Sequence, residues 1–160
     1  TKETKIIINQ EEDENKKNII KNLKYNVKIR DSGTYEVSSD SSEIILIDDK
    51  EVILMKNVTA IFTSKNNKKL YIYSDIAEFD SSNYNTNFKN NIRITYENNY
   101  ITSNKLNFDF EKNNILVYEN VVYNGSEGKI FTDNIQIDLI LKNVNIFMNK
   151  KNKIIKGSLF

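Results

Sequence analysis

Histidine and cysteine are both absent from the 160 residues, and so are proline and tryptophan. Without histidine or cysteine the chain has no Ser-His-Asp or Cys-His nucleophilic pair, no His/Cys zinc site, no iron–sulfur ligation and no thiol redox chemistry. Disulfides are excluded as well, which fits either a reducing cytosol or a periplasmic protein that manages without them. The missing proline accompanies an excess of isoleucine, asparagine and lysine, a bias better explained by an AT-rich genome than by a fold. Net charge is nearly absent too. Lys+Arg 23 against Asp+Glu 22 leaves +1, too little for a general attraction to nucleic acid or to an anionic membrane surface. Any anionic ligand must be met locally. No apolar run approaches the roughly 18 to 20 residues that span a bilayer, and no charged-then-apolar leader opens the chain. The first residue is Thr1, which leaves room for an upstream anchor.

The length suits one domain with a sizeable core. Residues 1–24 hold the apolar run Ile6-Ile7-Ile8, the acidic run Glu11-Glu12-Asp13-Glu14 and an Asn/Lys-rich stretch, and are expected to form a flexible or briefly helical arm. The acidic run lacks the alternate-residue spacing and turn glycine of a calcium loop, so no metal is expected there. Over 25–160 the texture becomes period-two alternation of β-branched and aromatic residues, as in Leu70-Tyr71-Ile72-Tyr73 and Ile92-Arg93-Ile94-Thr95-Tyr96. Asn, Asp, Ser, Gly and Lys clusters interrupt it at Asp31-Ser32-Gly33, Asp48-Asp49-Lys50, Lys65–Lys68, Glu97-Asn98-Asn99, Glu111–Asn114 and Asn124–Gly128. Such a pattern predicts an all-β domain of antiparallel hairpins.

Repetition organises the strands. Ser74-Asp75, Ser103-Asn104 and Thr132-Asp133 recur 29 residues apart, and a weaker copy at Ser39-Asp40 is displaced by the longer hairpin at 65–69. In each unit the parity of the apolar positions changes just after the Ser/Thr-Asp/Asn pair: Ile72 then Ala77 and Phe79, Ile101 then Leu106 and Phe108, Ile130 then Ile135 and Ile137. A parity change within one strand signature predicts a bulge or corner, so that each strand crosses two faces of the same tube. Alternating with these units are Asn26-Val27, Asn57-Val58, Asn91-Ile92, Asn120-Val121 and Asn143-Val144, read as strand starts.

The order and spacing of these motifs resemble the LptC family, the membrane-proximal periplasmic component of lipopolysaccharide export. Residues carrying the likeness are Lys24-Tyr25 through Gly33-Thr34-Tyr35-Glu36-Val37, Val52 through Ala60, Ser74 through Asp80 with Phe88 through Ile92, then Asn120-Val121 and Lys129 through Asp133, about 25 to 150 in all. The soluble LptA bridge family shares the fold, but the Gly33-Thr34-Tyr35 hairpin is more similar to LptC. In one departure, the glycine frequent before the family's Asn-Val pairs is here tyrosine, lysine, asparagine or glutamate. The resemblance implies a twisted β-jellyroll, open along one side, that is anchored to the inner membrane by a helix upstream of this sequence. It further implies that lipopolysaccharide is accepted from the inner-membrane ABC transporter at the N-terminal edge and passed to an LptA-like module at the C-terminal edge, with no cofactor and no nucleic acid.

On that reading Phe62, Phe79, Ile94, Leu106, Phe108, Tyr123, Ile137 and Ile146 line a lipid groove. Alternation alone fits a closed core equally well. An open jellyroll leaves strand edges that can accept another chain's strand. The expected first strand is Tyr25–Arg30, and the expected docking edge is Val144, Asn145, Ile146, Phe147 and Met148. Lys150, Lys151, Lys153 and Lys156 beyond it would guard the edge or meet lipid phosphates. Two other classes remain open. Asp109 and Asp138, one repeat apart, could serve a carbohydrate-active enzyme, although a solvated outer face and the lack of tryptophan argue against it. An inert β scaffold is the other.

Overall fold

A computed structural model of the chain describes residues 4–9, 19–29, 31–149 and 154–158. Eleven strands follow one another: β1 (Thr4–Asn9), β2 (Ile19–Ile29), β3 (Gly33–Ile47), β4 (Lys50–Ser64), β5 (Lys69–Phe79), β6 (Thr86–Tyr96), β7 (Asn99–Asp109), β8 (Asn114–Gly125), β9 (Gly128–Asp138), β10 (Asn143–Phe147) and β11 (Ile154–Ser158). They form one antiparallel sheet whose spatial order is the sequence order, so each strand pairs only with its neighbours in the chain. No helix occurs among the described residues. The all-β architecture expected from the alternation is what the structure has, and its form is the jellyroll-like one that the resemblance implies.

The sheet is folded over. In a flat sheet β3 and β7 would stand about 19 Å apart, four strand spacings, yet the rings of Tyr35 and Phe108 have centroids 4.8 Å apart. Tyr25 of β2 likewise meets Phe79 of β5 at 4.6 Å. The fold runs along a line of corners at mid-strand. Ladder registers shift there between Tyr73 and Ile76, Lys89 and Ile92, Thr102 and Lys105, and Tyr118 and Val121. On β5, β7 and β9 the corner is the repeated Ser/Thr. Ser74 Oγ donates to the Ile76 carbonyl at 3.0 Å and Ser103 Oγ to that of Lys105 at 3.2 Å, while Thr132 Oγ1, 3.5 Å from the Asn134 carbonyl, lies nearer that of Phe147 on β10, at 3.1 Å. The two serine hydroxyls thereby satisfy carbonyls displaced from the ladder, and all three small side chains stay buried. Buried positions change parity at these points, from Ile72 and Ser74 to Ala77 and Phe79, and from Ile101 and Ser103 to Leu106 and Phe108. The half-strands beside the turns at 31–32, 65–68, 97–98 and 126–127 make a first layer. Those beside 48–49, 80–85, 110–113 and 139–142 make a second.

On the intervening strands the corner is an asparagine in the left-handed region: Asn22 (φ 53°), Asn57 (φ 53°), Asn91 (φ 50°) and Asn120 (φ 53°). Three of the expected Asn-Val strand starts, Asn57-Val58, Asn91-Ile92 and Asn120-Val121, are therefore mid-strand corners, because an asparagine tolerates this backbone at a bulge as well as at a turn. On β2 the corner is Asn22-Leu23, and Asn26-Val27 lies in regular strand; Asn143 does open β10. On β6 and β8 the residue before the corner, which is not glycine, is left-handed as well: Asn90 has φ 67° and Glu119 φ 62°. Glu119→Gly is accordingly expected to raise stability by about 0.5 to 1 kcal/mol despite losing an exposed ion pair with Lys105, as read from the urea midpoint.

Three expectations need correction. Within the expected arm, Thr4–Asn9 is a strand paired to β2, and Ile19–Lys24 belongs to β2 itself, so the 24/25 boundary falls inside a strand; Glu11 to Glu14 lie outside the described residues. Pairing of Lys5 with Asn26 and Ile6 with Tyr25, ending at Thr4 with Val27, covers β2 as far as Val27, so Tyr25–Val27 is not a free edge, and Arg30 lies outside the described residues. Val144 to Phe147 are paired on both sides, with β9 and with β11, and Met148 lies past the end of β10. The short apolar runs Ile6-Ile7-Ile8 and Ile154-Ile155 supply the extra outer strands. Lys150, Lys151 and Lys153 lie outside the described residues.

At the turn between β5 and β6, Asp80 accepts hydrogen bonds from the Ser82 backbone N–H at 2.9 Å and hydroxyl at 2.6 Å, and lies 2.5 Å from Lys50 Nζ. Partial burial pushes its carboxyl pKa up, but Lys50 and Ser82 outweigh it and hold the pKa below the ordinary carboxylate value. A depressed carboxylate contributes stability that is present above its unfolded pKa and lost as pH falls through the folded one. Asp80→Asn should therefore flatten the acid limb of stability as pH falls below the ordinary carboxylate range, measured by urea unfolding at a series of acid pH values.

Candidate functional site

Inward side chains of the two layers converge on one apolar interior. All eight residues expected along a groove contribute to it: Phe62, Ile94 and Tyr123 from the first layer, Phe79, Leu106, Phe108, Ile137 and Ile146 from the second. Seven are buried, and Tyr123 is partly buried, with its hydroxyl donating to Asn99 Oδ1 at 2.6 Å. Met148, the last residue of the expected docking edge, is 39% exposed.

The layers touch through rings. Tyr35 stacks on Phe62 at 4.7 Å, and Phe108 meets both edge-on at 4.8 Å. Phe110 closes on Phe108 at 5.9 Å and on Tyr84 at 5.0 Å. Within this cluster the Tyr35 hydroxyl is 2.9 Å from Thr86 Oγ1, a buried hydrogen bond joining the first layer to the second. Burial drives the Tyr35 phenol well above its ordinary pKa, against the opposing pull of that bond, so the group is neutral at any physiological pH. Tyr25, Tyr35, Phe88 and Phe110 were not anticipated as interior rings. The signal for Phe110 is its parity with Phe108, and for Phe88 its parity with Ile92 across a two-residue bulge.

Among the described residues, backbone hydrogen bonding does not join the layers. Among these residues, the bonds outside the ladders lie within turns or between adjoining turns of the second layer, such as Leu139 N–H to the Asn113 carbonyl at 3.0 Å. Opposite the corner line the turns of the two layers approach each other, and Ile29, Thr34 and Phe62 share a small cavity of about 20 Å³ with Leu139 and Lys142. Ile140 and Leu141 beside it are 52% and 67% exposed. The interior is thus a packed apolar slab between two layers, hinged along one side and held on the other by side-chain contact.

Asp109 and Asp138 face outward on either side of Asn114, with which both pair across their ladders. Each closes a turn: Asp109 Oδ1 accepts from Lys112 N–H at 3.0 Å, and Asp138 Oδ1 from the N–H groups of Ile140 and Leu141 at 2.9 and 2.8 Å. No group of three or more Asp or Glu among the described residues is placed to hold a metal ion. No helix among them is long and apolar enough to cross a membrane.

Comparison with protein-family models finds no match, and comparison with curated proteins finds no relative.

Proposed function

We propose that the chain is a lipopolysaccharide-binding bridge module of the bacterial periplasm, similar to LptC, or alternatively to LptA, and that it has no catalytic activity. The observation that carries this reading is the unbroken apolar slab between two layers that share one hinge and, among the described residues, no backbone hydrogen bonds across the opposite side. Moving a multi-chain lipid through water requires hiding dozens of methylenes, each costing about 0.8 kcal/mol when exposed. Parting the layers would exchange contacts between Phe62, Phe108 and their neighbours for contacts with acyl chains, at little net change in exposed apolar surface. Strands at both ends of a linear sheet suit pairing with further modules. With β2 and β10 covered, the docking edges move to β1 and β11, the inner-membrane transporter meeting the first and an LptA-like module the second.

Photocrosslinking probes at Ile94 and Phe108 test the cargo. Labelling of radiolabelled lipopolysaccharide from these two positions and not from outward Asp109 is expected; labelling from Asp109 alone would sink the reading.

A further inference from the structure

The outer faces of the two layers handle charge differently. On the second layer lysines meet carboxylates: Lys89 Nζ is 2.6 Å from Glu78 and Lys105 Nζ 3.1 Å from Glu119. On the first layer, from Thr59 on β4 to Phe131 on β9, no outward residue between the corner line and the hairpin turns is a carboxylate. Two cations of this stretch lie over rings, whereas on β2 and β3 of the same layer Lys24 meets Glu36 at 3.3 Å. The Arg93 guanidinium is 5.5 Å from the Tyr73 centroid and Lys129 Nζ is 5.7 Å from that of Phe131. Both are exposed, and neither has a carboxylate partner among the described residues.

A depression of about 290 Å³ opens beside Arg93, where the β6–β7 and β7–β8 ladders shift register at the same level. Arg93, Tyr100, Thr102, Asn91, Asn104 and Asn120 line it. Arg93 is the one charge in that set. The others are hydroxyls and amides, each able to donate and accept, and Asn91 is oriented by its own bond to Asp75 at 2.6 Å. Two corner carboxylates adjoin it: Asp75, which accepts from Asn91, and Glu119, which is held by Lys105.

One guanidinium encircled by neutral donors and acceptors is complementary to a ligand with many hydroxyls and a single negative charge. We infer that this depression binds an anionic saccharide unit, a sugar acid or a sugar phosphate, independently of what the interior carries. Arg93 pairs with the anion and the asparagines, Thr102 and Tyr100 read the hydroxyls. Charge and hydrogen bonding take the place of the stacking that tryptophan would provide. Nucleic acid fits less well, because Arg93 already covers the Tyr73 ring on which a base would stack. A bilayer fits less well because the lining is polar.

Titration of the isotope-labelled chain by NMR tests this. Trigalacturonate and glucose phosphate are the anionic probes; maltotriose, an oligothymidylate and phosphatidylglycerol vesicles are the controls. Amide shifts confined to 91–93, 100–104 and 120 are expected with at least one anionic probe, and the tighter of the two identifies carboxylate or phosphate as the preferred anion. Arg93→Ala should weaken binding at least about tenfold with an unchanged urea midpoint, and Arg93→Lys should restore part of it. Absence of shifts with both anionic probes, equal binding of maltotriose, indifference to Arg93→Ala, or binding there of only the oligonucleotide or vesicles would each overturn the site.

Discussion

Gly33→Ala is expected to cost at least about 3 kcal/mol, a large share of the 5 to 15 kcal/mol that holds a typical domain together. Gly33 opens β3 at φ 128°, a conformation that side-chain-bearing residues rarely adopt, and a Cβ there would lie 1.8 Å from the Thr63 carbonyl oxygen. Because the obstacle is backbone of the neighbouring strand, it cannot rotate aside. Either the β3–β4 ladder opens at Gly33 and Ser64 or the turn at Asp31-Ser32 rearranges. Gly128 is the control. It has φ 137°, but no heavy atom lies within 4 Å of where its Cβ would be, so Gly128→Ala should show the strain alone, about 1 to 2 kcal/mol. Paired urea titrations of the two variants separate steric from conformational cost; equal losses would remove the steric argument.

Phe108→Ala should cost about 3 to 5 kcal/mol. Phe108 is fully buried, and its ring touches Tyr35 and Phe62 of the opposite layer and Phe110 of its own. Truncation leaves a cavity between two layers that no backbone hydrogen bond among the described residues draws together. The layers do not simply close onto the void, because the Tyr35–Thr86 hydrogen bond fixes their spacing beside it. Calorimetry should show a lowered Tm, and a small apolar solute that fills the cavity should recover part of the loss. Phe131→Ala, which removes an exposed ring from the outer face, is the contrast and should leave Tm within its error.

How much of this was legible in the sequence varies by level. The corner line could be read because two signals coincide: the Ser/Thr-Asp/Asn pairs recur 29 residues apart, and apolar parity changes just after each. The copy at Ser39-Asp40 was visible too, but its displacement comes from β3 and β4, which have 15 residues where β5 to β7 have 11, and not from the hairpin at 65–68. The asparagine corners were visible but misread, because Asn before a β-branched residue looks the same at a strand start as at a bulge. The turn at 139–142 left no mark of its own: Leu139-Ile140-Leu141-Lys142 contains no glycine or asparagine, and it is the Asp138 side chain, accepting two backbone N–H groups, that closes it. Outer strands were missed for a related reason. A three-residue apolar run beside acidic and Asn-rich stretches carries too little alternation to be recognised, and only pairing with β2 gives Thr4–Asn9 its regular form. Alternation placed the interior residues of β5, β7 and β9 on either side of their corners, but it left out Tyr25, Tyr35, Phe88 and Phe110, and the identity of any cargo was never in it.

Pairing each strand only with its immediate predecessor and successor has a consequence for how such a molecule can change. No strand is threaded between two distant ones, so a hairpin inserted or removed along the sheet disturbs only the two neighbours it separates. Length along the corner line is then an adjustable quantity, set by the number of hairpins, and the 29-residue spacing of Ser74, Ser103 and Thr132 has the form expected of growth by copying one.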